Sequence, residues 1–210
     1  MEKLNPETWA RRDAFAFFSR VSNPFYMVTF RQDVTALFRY TKANRLSFYY
    51  AMCWACTEAL NRVDGFLVSV EDGELVRLPG RRASFTDIRP GEEQFYFVNM
   101  PAFGGDAAAF CREAAERSRT RTGFLDTGEG SDLVYLSCSP VLDLTACSNE
   151  RDLAAPNATD DAIPRVNWGR FTERDGRRTL GLSMEVNHRF IDGFHIARFA
   201  EHLTNLFESL

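Results

Sequence analysis

No stretch of the sequence approaches the roughly 20 consecutive apolar residues that a membrane-spanning helix needs. The longest nearly apolar run, Leu46–Cys56, already contains Ser47. Positive charge is not in excess either: 25 Lys+Arg stand against 29 Asp+Glu, for a net charge of −4, with the signs interspersed. A general nucleic-acid binder usually carries a basic face, so neither a membrane nor a nucleic acid is expected as partner. The opening residues Met1-Glu2-Lys3-Leu4-Asn5-Pro6 lack the apolar core of an export signal. The five Cys are odd in number and scattered, which predicts reduced thiols in a cytoplasm rather than a disulfide framework. Glycine-rich phosphate loops are missing, as is the G-x-S-x-G elbow of a serine hydrolase. Cys53-Trp54-Ala55-Cys56 spells C-x-x-C but falls in an apolar stretch with no second Cys pair. Buried thiols are expected there, not a metal or redox site.

What is present is a packed interior. The 210 residues are 45% hydrophobic and include 19 Phe, enough for a sizeable core without cross-links. The length suits one domain, 1–210. Asn5-Pro6-Glu7 reads as a helix start running to about Ser19. Phe25–Arg31 reads as a strand. Asp33 and Ser47 each cap a following helix, the second reaching Arg62. Two Asp-Gly pairs mark tight hairpins: Asp72-Gly73 between Phe66–Val70 and Glu74–Leu78, and Asp175-Gly176 between Arg165–Thr172 and Arg178–Val186. Ser84–Ile88, Gln94–Met100 and Leu133–Ser139 add strands, Asp106–Arg119 and Phe194–Glu208 helices, and Asn149–Pro164 is mostly loop. Hairpins mixed with helices favour an α+β fold, with helices on one face of a mixed sheet, over a doubly wound parallel sheet.

Histidine is scarce, and all three copies lie in the closing segment: His188, His195 and His202. His202, mid-helix beside Glu201, reads as a surface residue, and His195 as a packing or hydrogen-bonding one. His188 follows a strand and precedes Arg189-Phe190-Ile191-Asp192-Gly193, a place where an imidazole can face a cavity and act as a general base near neutral pH.

His188-x-x-x-Asp192-Gly193 followed by Phe194-His195-x-x-Arg198-Phe199 resembles the signature of the chloramphenicol O-acetyltransferase family. The likeness runs the length of the chain: Trp9-x-Arg11-Arg12-Asp13-x-Phe15, Phe48-Tyr49, Asp72-Gly73-Glu74-Leu75 and Ser137-x-x-Pro140 appear in the family's order. The resemblance implies a single-domain two-layer sandwich and acetyl transfer from acetyl-CoA to a small alcohol. It assigns His188 as the base and Ser137 as the donor to the oxyanion. Asp192 would pair with Arg11 to hold the His188 loop. Phe18, Phe25 and Asn167 would belong to the acceptor pocket, with the segments Phe25–Phe30 and Gln94–Phe103 as candidate linings. Arg170 and Phe171 would meet the CoA nucleotide, with Arg174, Arg177 and Arg178 as possible added charge. A homotrimer with active sites at subunit interfaces is implied as well.

The chain departs from the family pattern at Asn187, which stands for a first His of the motif. Phe18 stands for a Tyr, Asn167 for a Thr that holds a water, Val141 for a Trp and Tyr50 for a Pro. These changes fall on the acceptor pocket. His188-Arg189-x-x-Asp192-Gly193 also fits a dihydrolipoamide-type acyltransferase, and a non-catalytic ligand-binding relative is the remaining alternative.

Overall fold

A computed structural model describes residues 1–126 and 130–210. Its larger sheet holds β2 (Phe25–Asp33), β10 (Arg177–Asn187), β8 (Arg165–Gly169), β7 (Leu133–Ser139), β5 (Arg82–Ile88) and β6 (Phe95–Asn99) in that spatial order, with β9 (Thr172–Arg174) also paired to β10. β5, β7 and β8 run parallel and all other pairings are antiparallel. A small antiparallel sheet joins β1 (Glu2–Lys3), β4 (Glu74–Arg77) and β3 (Val68–Glu71). The helices are α1 (Arg12–Phe18), α2 (Thr35–Ala43), α3 (Phe48–Asn61), α4 (Ala107–Thr120) and α5 (Gly193–Glu208). The arrangement is the expected mixed α+β sandwich.

Strand alternation divides the two faces of the large sheet. Leu180, Leu182, Met184 and Val186 of β10 are buried in the core, as are Val134 and Leu136 of β7 and Phe85 of β5. They share that core with Ile196, Phe199 and Leu203 of α5 and with α3, whose residues Ala51–Thr57 are all buried. The opposite face is polar: Ser183, Glu185, Asn167, Ser137 and Thr86 alternate with those core residues. The chain after β7 crosses this face above β10 and β8. Gly169 and Gly181 let it pass, because a Cβ at either position would collide with backbone at Leu142 or Leu144. Beyond the crossing, the face over β5, β7 and β8 stays open.

Both Asp-Gly turns form, with φ of 51° and 79° at Asp72-Gly73 and 51° and 75° at Asp175-Gly176, the positive angles that a two-residue turn of this hand needs. The second joins β9 to β10, the strand read as Arg165–Thr172 being split into β8 and β9. Ser47 and Asp106 cap α3 and α4. The first helix is shorter than expected. Asn5 accepts from the backbone of Glu7 at 2.9 Å and the chain turns there, but helix begins only at Arg12. Phe66 and Leu67 lie in a short 3-10 turn, Asp64–Leu67, instead of at the start of a strand.

The layers are tied together by Arg81, buried at 3% exposure. Its guanidinium donates to the carbonyls of Phe66, Val68, Ser131, Leu133 and Ala162. Burial pulls its pKa down to about 10, which still leaves it charged at neutral pH.

Candidate active site

His188 stands just past the end of β10, where its backbone N–H donates to the Pro24 carbonyl at 2.8 Å. The imidazole is half-buried. It stacks on Phe18, with ring centroids 3.9 Å apart, and Tyr26 lies at 4.3 Å. Burial pushes its pKa below the ordinary value; the Arg11 cation adds to the drop, and the Asp192 carboxylate opposes it. At neutral pH the ring is therefore an uncharged base.

Asp192 performs two tasks. It takes an ion pair from Arg11, and its Oδ1 accepts from the backbone of Phe194 at 3.0 Å as the N-cap of α5. His195 completes the cap: its Nδ1 is 2.8 Å from Asp192 Oδ1 and 3.3 Å from the Asp192 backbone nitrogen. Burial alone would raise the Asp192 carboxyl, but Arg11 and His195 outweigh it and hold the pKa at about 2. Arg11 also reaches the His188 carbonyl at 3.4 Å. Asn187 and Arg189 brace the same turn by donating to the Thr159 carbonyl, each at 2.7 Å, and Arg189 pairs with Asp160 at 2.5 Å. His202 is half-buried, not a plain surface residue.

Ser137 belongs to a different wall. A cavity of about 460 Å³ opens over β5, β7 and β8, lined among others by Thr86, Phe97, Tyr135, Ser137, Asn149 and Asn167. Ser137 Oγ is 2.9 Å from Thr86 Oγ1. Asn167, in register with Ser137 on the neighbouring strand, donates through Nδ2 to Asn149 Oδ1 at 2.6 Å. Asn149 is in turn fixed through its backbone N–H, which donates to Glu185 at 3.0 Å. Phe95 and Phe97 of the expected lining segment reach this cavity. Phe25 lines a smaller one of about 330 Å³, with the Arg151 guanidinium 3.7 Å above its ring.

One chain does not bring His188 and Ser137 together. Ser137 is in register with Asn167, and Asn167 with Ser183, so it lies two strands from β10. His188 lies five residues beyond Ser183. At about 4.8 Å per strand and 3.3 Å per residue, the two are roughly 19 Å apart. His188 is absent from the walls of the 460 Å³ cavity.

At the other end of β8, Arg170 is exposed and its guanidinium has no ion-pair partner among the described residues. Arg174, Arg177 and Arg178 are paired with Asp175, Asp33 and Glu173. Phe171 packs edge-on between Phe38 and Phe48 rather than standing free. Among the described residues no group of three or more His, Cys, Asp or Glu is placed to hold a metal ion. Cys53 and Cys56 are buried free thiols, and burial raises both pKa values.

The sequence model of the chloramphenicol acetyltransferase family matches residues 1–204. The chain belongs to this family. Chloramphenicol acetyltransferase from Streptomyces acrimycini is 29% identical over 97% of this chain and 92% of its own length. Chloramphenicol acetyltransferase 3 from Escherichia coli is 25% identical over 99% and 97%. Among solved structures, a chloramphenicol acetyltransferase superposes with a TM-score of 0.86 over 98% of this chain and 99% of its own, at 21% identity. Dihydrolipoamide acetyltransferase from Azotobacter vinelandii shares the fold at a TM-score of 0.67 and 19% identity, covering 93% and 85%. As a member of the chloramphenicol acetyltransferase family, the chain is an acyltransferase. Among its described residues no helix is long and apolar enough to cross a membrane.

Thr86 and Asn149 line the cavity and were not singled out in the sequence, and Tyr26, beside His188, was named there only as part of the segment Phe25–Phe30. Thr86 had a usable signal, since it shares strand parity with Ser84 on the polar face. Asn149 had none, because its partner comes from a strand far along the chain.

Proposed function

We propose that this chain transfers an acetyl group from acetyl-CoA to a hydroxyl of chloramphenicol or a related small alcohol. The observation that carries the reading is the pairing of features it contains: a half-buried, uncharged imidazole at His188 and a cavity displaying the Ser137 hydroxyl. At about 460 Å³ the cavity lies in the range used for small-molecule ligands. Chloramphenicol enters as acceptor because the relatives carry its name.

In this mechanism His188 removes the acceptor's hydroxyl proton as the oxygen attacks the thioester carbonyl. Ser137 donates to the oxyanion of the tetrahedral intermediate, and one such donor typically contributes roughly 2.7–4 kcal/mol. Collapse breaks the carbon–sulfur bond, and the CoA thiolate recovers the proton from the imidazolium. Arg170, exposed and without an ion-pair partner among the described residues, is a cation available to the CoA phosphates. The packing of Phe171 against Phe38 and Phe48 makes it a support for that region more than a free stacking surface.

The roughly 19 Å between His188 and Ser137 within one chain supports an active site shared between copies, with His188 of one facing the cavity of the next. The nine-residue edge strand β2, unpaired on its outer side among the described residues, and the exposed Phe17, Val141 and Leu142 supply surface for that contact. A homotrimer fits these needs. The five cysteines, free and mostly buried, suit a reducing cytoplasm.

Acetylated product is followed directly for the wild type and His188→Ala with acetyl-CoA and chloramphenicol. A fall of about 100-fold or more supports both the base and the acceptor. Acetyl-CoA binding without turnover in the wild type overturns chloramphenicol as the acceptor. Turnover with dihydrolipoamide in place of chloramphenicol favours the lipoamide-type alternative.

A further inference from the structure

The Ser137 hydroxyl sits between two neighbours in a row across three parallel strands. Ser84 is in register with Tyr135 and Phe85 with Leu136, which brings Thr86 of β5 alongside Ser137 of β7, while Asn167 of β8 flanks it on the other side. On the Asn167 side the amide nitrogen is already committed to Asn149. On the Thr86 side the two hydroxyl oxygens are 2.9 Å apart, and Thr86 Oγ1 has no other hydrogen-bond partner among the described residues.

Thr86 is held firmly. Tyr49 of α3 donates its hydroxyl to the Thr86 carbonyl. The next residue, Asp87, accepts from the Tyr50 hydroxyl at 2.6 Å and from the Ser118 hydroxyl at 2.5 Å. Tyr50 is one of the departures from the family pattern, whereas Tyr49 belongs to the Phe48-Tyr49 match. A β-branched side chain on a pinned strand has little rotamer freedom, so its hydroxyl is a fixed point.

Each hydroxyl has one proton to give. If Ser137 gave its proton to Thr86, none would remain for an oxyanion. If Thr86 gives instead, the Ser137 proton is left to point into the cavity, and its oxygen is polarised by the bond it accepts. We propose that Thr86 is a positioning residue for acetyl transfer, whose Oγ1–H donates to Ser137 Oγ and so turns the Ser137 proton toward the oxyanion. This rests on the reading of Ser137 as the oxyanion donor.

The test is steady-state kinetics with acetyl-CoA and chloramphenicol for the wild type, Ser137→Ala, Thr86→Val, Thr86→Ser and the Thr86→Val/Ser137→Ala double variant. Valine keeps the shape of threonine and removes only the donor. Thr86→Val is expected to lower kcat about 10-fold, less than Ser137→Ala, with both KM values within about twofold of wild type. Thr86→Ser restores kcat, and the double variant is no slower than Ser137→Ala, since the second change acts only through a hydroxyl already gone. A wild-type kcat in Thr86→Val overturns the proposal, as does a multiplicative loss in the double variant. So does a Thr86→Ser as slow as Thr86→Val, which would assign the effect to packing. A loss in Thr86→Val as large as in Ser137→Ala would make Thr86 itself the donor to the oxyanion. Undiminished kcat in Ser137→Ala, or a wild type inactive with chloramphenicol, removes the underlying reading and the proposal with it.

Discussion

The ring of Phe18 lies on the imidazole of His188 at 3.9 Å between centroids and 20° from parallel. The stack covers one face of the imidazole with an apolar surface. Covering a titratable ring disfavours its charged form, and burial is the largest cause of the lowered His188 pKa. Phe18→Ala is expected to uncover the ring and raise that pKa toward the ordinary 6.5. Because the base works uncharged, the acid limb of the kcat/KM profile moves to higher pH, and kcat drops as the ring loses its fixed plane. An acid limb that stays in place would show that the stack orients the imidazole without tuning it.

Arg11 and Asp192 act on His188 in opposite directions, the cation lowering its pKa and the carboxylate raising it. Asp192→Asn should therefore move the acid limb down and Arg11→Met should move it up. Both should slow turnover, because each leaves the loop that follows β10 without its brace and its partner charge uncompensated. Shifts in the same direction would mean that loop displacement, not charge, controls the imidazole.

The same pair sets an acid-sensitivity window. With its folded-state pKa depressed to about 2 from 3.8, Asp192 contributes stability that is complete above its unfolded value and lost as pH falls through that interval. Urea midpoints of the wild type should decline more steeply between about pH 4 and pH 2 than those of Asp192→Asn. The variant itself is less stable at neutral pH, since it also weakens the cap of α5.

Arg81 is a stability residue, its guanidinium spent on backbone carbonyls. Arg81→Met removes the donor from five carbonyls, three of them buried, and a loss on the order of 3–5 kcal/mol is expected. For a chain of this size that is a fall in Tm of roughly 6–20 °C, read by thermal melting. A melt within a few degrees of wild type would mean that water replaces the guanidinium at those carbonyls.

Features that depend on near neighbours were legible in the sequence. The Asp-Gly pairs dictate their turns because few other residues accept two successive positive φ angles, and Ser47 and Asp106 cap helices within three residues of themselves. The motif His188-x-x-x-Asp192-Gly193 was readable for the same reason: its capping and its turn are local. Other features were set by distant packing. The N-terminal helix is delayed to Arg12 although Asn5-Pro6 starts a turn, and Trp9 packs edge-on against Phe15 across that delay, with centroids 5.8 Å apart. Gly65 lies against the His195 imidazole, where a Cβ would collide, so the segment around Phe66 coils instead of extending. The bonds between Thr86 and Ser137 and between Asn149 and Asn167 join strands and loops far apart in the chain, and nothing in their spacing announces them.

The separation of His188 from Ser137 has a consequence for mixtures. Under a site shared between copies, a chain lacking His188 and a chain lacking Ser137 are each slowed by about 100-fold or more alone, yet each still carries the half that the other has lost. Denaturing and renaturing the two together should revive activity, with roughly a quarter of the interfaces in a random equal mixture uniting an intact imidazole with an intact hydroxyl. Two crippled proteins would then behave as complementing alleles of one enzyme. A cell that expresses both defective forms would acetylate faster than one that expresses either form alone.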